Sequence, residues 1–309
     1  METENLVQFR QDAPGSWEEA LESFLLWKRA TGISKRTIYD YTVHVNLFFK
    51  RFASSFEDLP RLKHNFLCHM GQDDIAPATF NIRLKYLRGY FQWCVDEGII
   101  LRSPADGLKK RREEPRVVRM DVDNMKRLLA LPNKKSFVGV RDYALMLLTL
   151  DTGIRPSESL ALSREDVNLS SLEISIKAAI SKTRKGRTLF IVPETAAAIR
   201  KLLASHLKEW FPATIFCTYE GKKMDTPAWA LRLRKYGKLM GMRLSPYDLR
   251  HVHALQFLRN GGNLIALQRE MGHSDLTMTK RYLAITDEDV REAHCKASPV
   301  GGLINRRTR

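Results

Sequence analysis

The chain has 309 residues, 44% of them hydrophobic, which is enough to bury substantial cores in two domains. Its 51 Lys+Arg against 35 Asp+Glu give a formal net charge of +16, the electrostatic footprint of a protein with a polyanionic partner. No apolar run reaches membrane-spanning length, the start METENLVQFRQDAPGS is no signal peptide, and Cys68, Cys94, Cys217 and Cys295 form no CxxC pair; these features argue against a membrane protein and a disulfide scaffold, and for a reducing compartment.

Helical periodicity dominates the first third. Ser16 followed by Glu19 fits a capping box that opens a helix through about Ala30, with Leu21, Phe24, Leu25 and Lys28 in helical steps. A second helix begins at Ser34 and carries Ile38, Tyr41, Val45, Phe48 and Phe52 on one stripe. A short third spans about Leu62 to Met70. A fourth runs from near Pro77 to Glu97, with Phe80, Leu84, Leu87, Phe91 and Cys94 inward and Arg83, Lys85 and Arg88 on the other side. That basic side is either a solvated face or a phosphate-binding one. His64, Cys68 and His69 lie close together but lack a full ligand set, and they are read as ordinary helix residues rather than a metal site.

Arg102-Ser103-Pro104-Ala105 ends this bundle, and the charged, aperiodic stretch from Lys109 to Arg119, including Lys110, Arg111 and Arg112, reads as a linker. The expected division is a helical domain at 1–108, a basic linker at 109–119, and a second domain at 120–309 ending in a tail. The second domain mixes elements. Helices are expected over Asp121–Leu131, Phe137–Leu150, Glu194–His206, Trp229–Gly241, Tyr247–Asn260, Leu264–Gly272 and Leu276–Ala284, with one more over Asp287–Lys296. Leu172–Ile180 and Thr188–Val192 read as a β-hairpin whose tip, SKTRKGR, is basic. Gly261-Gly262 breaks the helical run.

Two separated blocks carry the chemistry. DTGIRPSESLAL places Arg155 at a helix start, three residues before Glu158. SPYDLRHVHALQF contains Arg250 and His251, MGH contains His273, and Tyr282 follows nine residues later. Guanidiniums clamp the non-bridging oxygens of a phosphodiester in planar, bidentate fashion and keep their charge. A tyrosine can hold the phosphoryl group covalently while a strand end is exchanged. The ordered set resembles the tyrosine recombinases, the phage-integrase-like family of site-specific DNA strand-exchange enzymes.

That resemblance implies a mainly α fold with a small β-hairpin or sheet: a helical core-binding domain followed by a mixed α+β catalytic domain. It implies that Arg155 and Arg250 clamp the scissile phosphate, His273 donates to it, Glu158 holds the arginines, and Tyr282 forms a 3′-phosphotyrosyl link. Lys182 matches the family's hairpin lysine, the general acid for the 5′-oxygen, with Lys185 as a rival. Arg184 and Arg187 are expected to touch DNA backbone, as are Arg83, Lys85, Arg88 and the linker residues. Tyr247 stands where the family usually has histidine; a phenol with pKa near ~10 donates a hydrogen bond but is a poor base at neutrality. His251 is a supporting neighbour. The family further implies no metal and no ATP, double-stranded DNA with inverted-repeat core sites, four subunits on two duplexes passing through a Holliday junction, room for an accessory directionality factor, and a cytoplasmic, nucleoid-associated location. Integration or excision of a mobile element is the expected role. The alternatives are a chromosome-dimer-resolving recombinase, a type IB topoisomerase-like enzyme and a non-catalytic DNA binder.

Overall fold

Ser16 opens the first helix. In the computed structural model its hydroxyl accepts a hydrogen bond from the Glu19 N–H at 3.2 Å, while the Glu19 carboxylate reaches back to the Gly15 N–H at 2.8 Å. The expected reciprocal box is therefore displaced by one residue on its return arm. The structure describes residues 14–56, 58–113, 120–181, 185–210 and 214–273, with isolated positions 275, 279, 291, 294, 295 and 298. The chain divides into two units, residues 1–116 and 117–309.

The first unit holds α1 (Trp17–Ala30), α2 (Lys35–Arg51), α3 (Leu59–Met70) and α4 (Pro77–Asp96). Helix α3 starts earlier than periodicity alone suggests, because Asp58 caps it through the Arg61 N–H and Pro60 suits its first turn. The core is aromatic. Phe24 meets Tyr90 edge-on at 5.4 Å, and Phe48 meets Phe91 at 5.7 Å and 89°, edge-to-face packing that adds to plain area burial. All five residues expected to face inward from α4 are buried.

The expected basic side of α4 is not one open face. Arg83 donates to the Gln72 side chain at 2.8 Å and to the His69 carbonyl at 3.3 Å. Arg88 donates to the Leu108 carbonyl, and Lys85 lies 5.0 Å from the Tyr86 ring centroid. The start of the expected linker is also tied down. Arg111 exchanges hydrogen bonds with Asn81 and stacks 4.1 Å over the Phe80 ring, while it and its neighbours Lys109, Lys110 and Arg112 are all exposed.

The second unit is built on α6 (Phe137–Thr152), which is apolar nearly all round and runs through the core beside α8 (Pro193–Ala204) and α10 (Pro246–Arg259). Around it lie α5 (Val122–Ala130), the single-turn α7 (Pro156–Ser159), α9 (Thr226–Leu239) and α11 (Leu264–Met271). Asp121, Ser136, Asp225 and Asn263 each cap the helix that follows; Asp225 starts α9 ahead of the expected Trp229. Three antiparallel strands, β1 (Val167–Asn168), β2 (Glu173–Ile176) and β3 (Arg187–Phe190), form a sheet in sequence order, with Ile174 opposite Leu189 and Ile176 opposite Arg187. The strand expected over 172–180 is β2 and extends less far, since the chain turns after Ile176, and β1 lies outside the expected hairpin. The helices expected over 276–284 and 287–296 fall outside the described stretches.

Asp142, fully buried in α6, accepts from Arg141, from Arg232 at 2.7 Å and from the Tyr236 hydroxyl at 2.8 Å. Burial and then Asp142 push the Tyr236 phenol up to about 12, so this tyrosine serves packing. Among the described residues no helix is long and apolar enough to cross a membrane.

The first unit carries a pH liability. His69 is buried beside Phe48, and neither ring nitrogen has a hydrogen-bond partner among the described residues. Burial, then the charges of Arg83, Arg51 and His44, bring its pKa down to about 4 from 6.5. Between those values the unfolded chain holds the proton and the folded chain does not, so stability falls as pH drops through this window, by at most roughly 3 kcal/mol. Hydrogen exchange in the full chain should show protection of α3 and α4 falling from pH 6.5 to 5, and His69→Phe should remove most of that dependence. Equal losses in both proteins would mean His69 is not the group responsible.

Candidate active site

The first block of the motif sits at the end of α6. Gly153 ends the helix with φ of 59°, and a Cβ there would lie 2.5 Å from the His253 ring; only glycine accepts both conditions. The Thr152 hydroxyl accepts from the Ile154 N–H at 3.2 Å and steadies the turn. Arg155 follows as the N-cap of α7, 7% exposed. Glu158, one turn on, is fully buried and accepts from the Arg155 N–H and from its guanidinium at 3.0 Å.

The second block closes on the first through the end of α11. A helix leaves its last carbonyls without intrahelical donors. Here three consecutive ones each take an arginine. The Glu270 carbonyl accepts from Arg187 Nε at 2.8 Å, the Met271 carbonyl from Arg250 at 2.7 Å, and the Gly272 carbonyl from Arg155 at 2.6 Å. Arg250 also donates to the Gly153 carbonyl. The partial negative charge of a helix C-terminus favours cations at this spot. Gly272, with φ of 62°, turns the chain so that His273 follows directly.

His273 receives a hydrogen bond at Nε2 from Arg250 at 3.0 Å, while Nδ1 faces the Thr279 hydroxyl at 2.9 Å. A guanidinium can only donate, so Nε2 is the acceptor and the ring proton is assigned to Nδ1. Burial, then Arg250, Arg155, Arg187 and His251, bring the imidazole pKa down to about 4; the ring is neutral at pH 7. Glu158 is pushed up by burial, but the hydrogen bonds and charge of Arg187, then those of Arg155, outweigh this and hold it below its ordinary value of 4.5. The cluster therefore sets three guanidiniums against one carboxylate. With Arg187 held by both Glu158 oxygens, Arg155 and Arg250 beside His273 are the cations matched to an anion with several oxygens, and they stabilise charge that grows on it.

Of the expected residues, the structure brings together Arg155, Glu158, Arg250 and His273, with His251 half-buried and close enough to act on His273. Tyr247 stands in the first turn of α10 and is 50% exposed. Lys182, Arg184 and Tyr282 lie outside the described residues. Lys185 is exposed and lines a cleft of about 970 Å³ together with Arg187, Gly272 and His273.

Arg187 was expected on DNA and is instead drawn inside. Its side chain is 9% exposed and grips Glu158 with two bonds, at 3.1 and 2.6 Å. The sequence did contain a signal. Arg187 lies two residues before the buried Leu189, and alternate strand residues share a face. Starting the strand at Thr188 hid it.

The profile of the Phage integrase family matches residues 118–289, and the chain belongs to that family, the tyrosine recombinases, enzymes that break and rejoin DNA. It is 26% identical over 301 residues to tyrosine recombinase XerD of Ralstonia nicotianae, covering 93% of this chain and 96% of that one. It is 29% identical to tyrosine recombinase XerA of Thermococcus kodakarensis over 93% and 98% of the two chains. In fold it resembles the Tn1549 transposon integrase in complex with transposon right end DNA (TM-score 0.70, 18% identity, 90% of this chain and 99% of that one). It also resembles the XerH recombinase bound to its difH substrate (TM-score 0.66, 20% identity, 90% and 83%).

Glu158→Gln would leave two buried guanidiniums sharing no carboxylate, at a cost of about 3–5 kcal/mol near neutrality. Because the folded carboxyl titrates below its ordinary value, its stabilisation is present above pH 4.5 and is lost as pH falls through the folded value. Urea denaturation should therefore show a gap between wild type and variant at pH 7 that narrows below pH 4. A gap of equal size at both pH values would refute a charge-based account of Glu158.

Proposed function

We propose that this enzyme is a site-specific recombinase that cuts each strand by attack of the Tyr282 phenolate oxygen on phosphorus, leaving a 3′-phosphotyrosyl link and a free 5′-hydroxyl. The observation that carries this reading is the convergence of Arg155, Arg250 and His273 on one buried, positively charged point. The two guanidiniums bind the non-bridging oxygens and stabilise the charge that concentrates on them in the pentavalent transition state. An entering phosphate competes for Arg250, frees His273 Nε2 and favours protonation of the ring, which then donates to the phosphate. Glu158 holds Arg155 in register. Lys182 protonates the departing 5′-oxygen, with Lys185 as the rival on the same hairpin. Tyr247, exposed at the start of α10, donates a hydrogen bond to the phosphate rather than accepting a proton.

Double-stranded DNA is the substrate, and the net charge of +16 supports it. The exposed cations Lys85, Lys109, Lys110 and Arg112 are the backbone contacts that fit the first unit. Four subunits on two duplexes would complete the exchange. Likeness to Xer recombinases along 93% of the chain supports resolution of joined chromosomes over the mobile-element role expected from the sequence. The Tyr247 departure favours the mobile-element reading. Sequencing DNA recovered covalently attached to the protein separates the two: one recurrent chromosomal site fits resolution, and element ends fit integration.

On a nicked suicide substrate the wild type should give a denaturation-resistant protein–DNA adduct, and Tyr282→Phe should give none. An adduct in the variant would place the nucleophile elsewhere. Tyr247→Phe should slow adduct formation by about one to two powers of ten, the lower range for a lost hydrogen-bond donor, and Tyr247→His should keep it. An unchanged rate in the Phe variant would show that the hydroxyl has no part.

A further inference from the structure

Arg187 joins three elements that are far apart in sequence. It is the first residue of β3 and follows directly on the exposed Lys185 and Gly186. Its guanidinium grips Glu158 of α7 through both carboxylate oxygens, and its Nε holds the Glu270 carbonyl of α11. Glu158 Oε1 is shared, accepting from Arg187 at 3.1 Å and from Arg155 at 3.0 Å. A bidentate arginine–carboxylate pair fixes direction as well as distance, and this pair is buried, so solvent does not loosen it. The hairpin base is thus fastened to the carboxylate that orients Arg155 and to the helix end that receives Arg155 and Arg250.

We propose that Arg187 is a positioning residue that holds the hairpin lysine over the leaving 5′-oxygen by fastening β3 to Glu158 and to the end of α11. This rests on the phosphotyrosyl reading of the site. In the cutting step the bond from the Tyr282 phenolate oxygen, its proton already lost to solvent, to phosphorus forms, the bond from phosphorus to the 5′-oxygen breaks, and the lysine ammonium gives its proton to that oxygen. Arg187 touches none of the reacting atoms. Losing its fork lets the hairpin drift relative to the arginines, and a displacement near 1 Å costs up to about a hundredfold in rate. The defect is confined to proton delivery, because Arg155 keeps Glu158 and the Gly272 carbonyl.

Replacing the bridging 5′-oxygen with sulfur tests this, because a thiolate leaves without a proton. Arg187→Gln should cut ordinary DNA about 10- to 100-fold more slowly than wild type and the sulfur-substituted strand at close to the wild-type rate. Its affinity for DNA and the salt dependence of that affinity should be unchanged. Should Arg187→Gln fail to fold, Arg187→Lys, which keeps one charge and loses the fork, carries the same comparison. An equal slowing on both strands would overturn the proposal, since Arg187 would then act on the phosphate clamp. A normal cutting rate with a salt slope smaller by about one would overturn it too, by making Arg187 a phosphate contact. If the wild type itself forms no adduct through Tyr282, the underlying reading of the site fails; if the wild type cuts and Arg187→Gln cuts ordinary DNA as fast, only the assignment of Arg187 fails.

Discussion

Three carbonyls at the end of α11 receive three arginines, and the rest of the catalytic unit is arranged around that contact. A helix terminus buried without donors is costly, and so is a buried guanidinium without acceptors. Joining the two removes both costs at once. Arg187 comes from the sheet, Arg250 from α10 and Arg155 from the turn after α6, so the contact draws three elements to one point. Glu158 then couples two of the three cations and keeps them apart from each other.

The balance of charge is deliberately incomplete. One carboxylate faces three guanidiniums, and the neighbouring imidazole is held neutral by burial and by those same cations. A fully neutralised cluster would be more stable and would have nothing to offer a phosphate. Arg155 and Arg250 give hydrogen bonds to the neutral carbonyls of Gly272 and Met271, acceptors that an anionic oxygen outcompetes because a hydrogen bond to a charged acceptor is roughly twice as strong, whereas Arg187 is held by both oxygens of the Glu158 carboxylate. The neutral His273 follows the same logic: its proton affinity rises when negative charge arrives.

The first unit uses its cations differently. Arg83, Arg88 and Arg111 bond to carbonyls and side chains within the unit, so their charges contribute to the field felt by DNA while their donors stitch α4 to its surroundings. Lys85, Lys109, Lys110 and Arg112, by contrast, are exposed. A residue type that suits a polyanion is therefore a poor guide to which copies touch it, because arginine's fork of donors also bonds backbone carbonyls, as it does here.

Much was legible in the sequence. Ser16, Ser34 and Asp121 cap helices as composition suggests; the stripe from Phe80 to Cys94 is buried throughout, and the stripe from Ile38 to Phe52 is buried at Tyr41, Val45 and Phe48 and partly buried at its two ends. The ordered motif located Arg155, Glu158, Arg250 and His273, which the fold gathers into one cluster. These features are local: a cap acts within one turn, and an amphipathic stripe repeats every three or four residues. Arg187 was read as a DNA-backbone contact and not as the partner of Glu158, and the end of α11 was not foreseen as the meeting point. Arg155 and Gly272 lie 117 positions apart, and Arg187 and Glu158 lie 29 apart. Which acceptor a guanidinium finds at that range depends on how α6, β3 and α11 pack, and no local pattern encodes it. The sequence by itself determined the elements and the chemistry available to them; the tertiary structure decided which charges face each other, because ion pairing in a buried site is a property of the assembled elements rather than of any one segment.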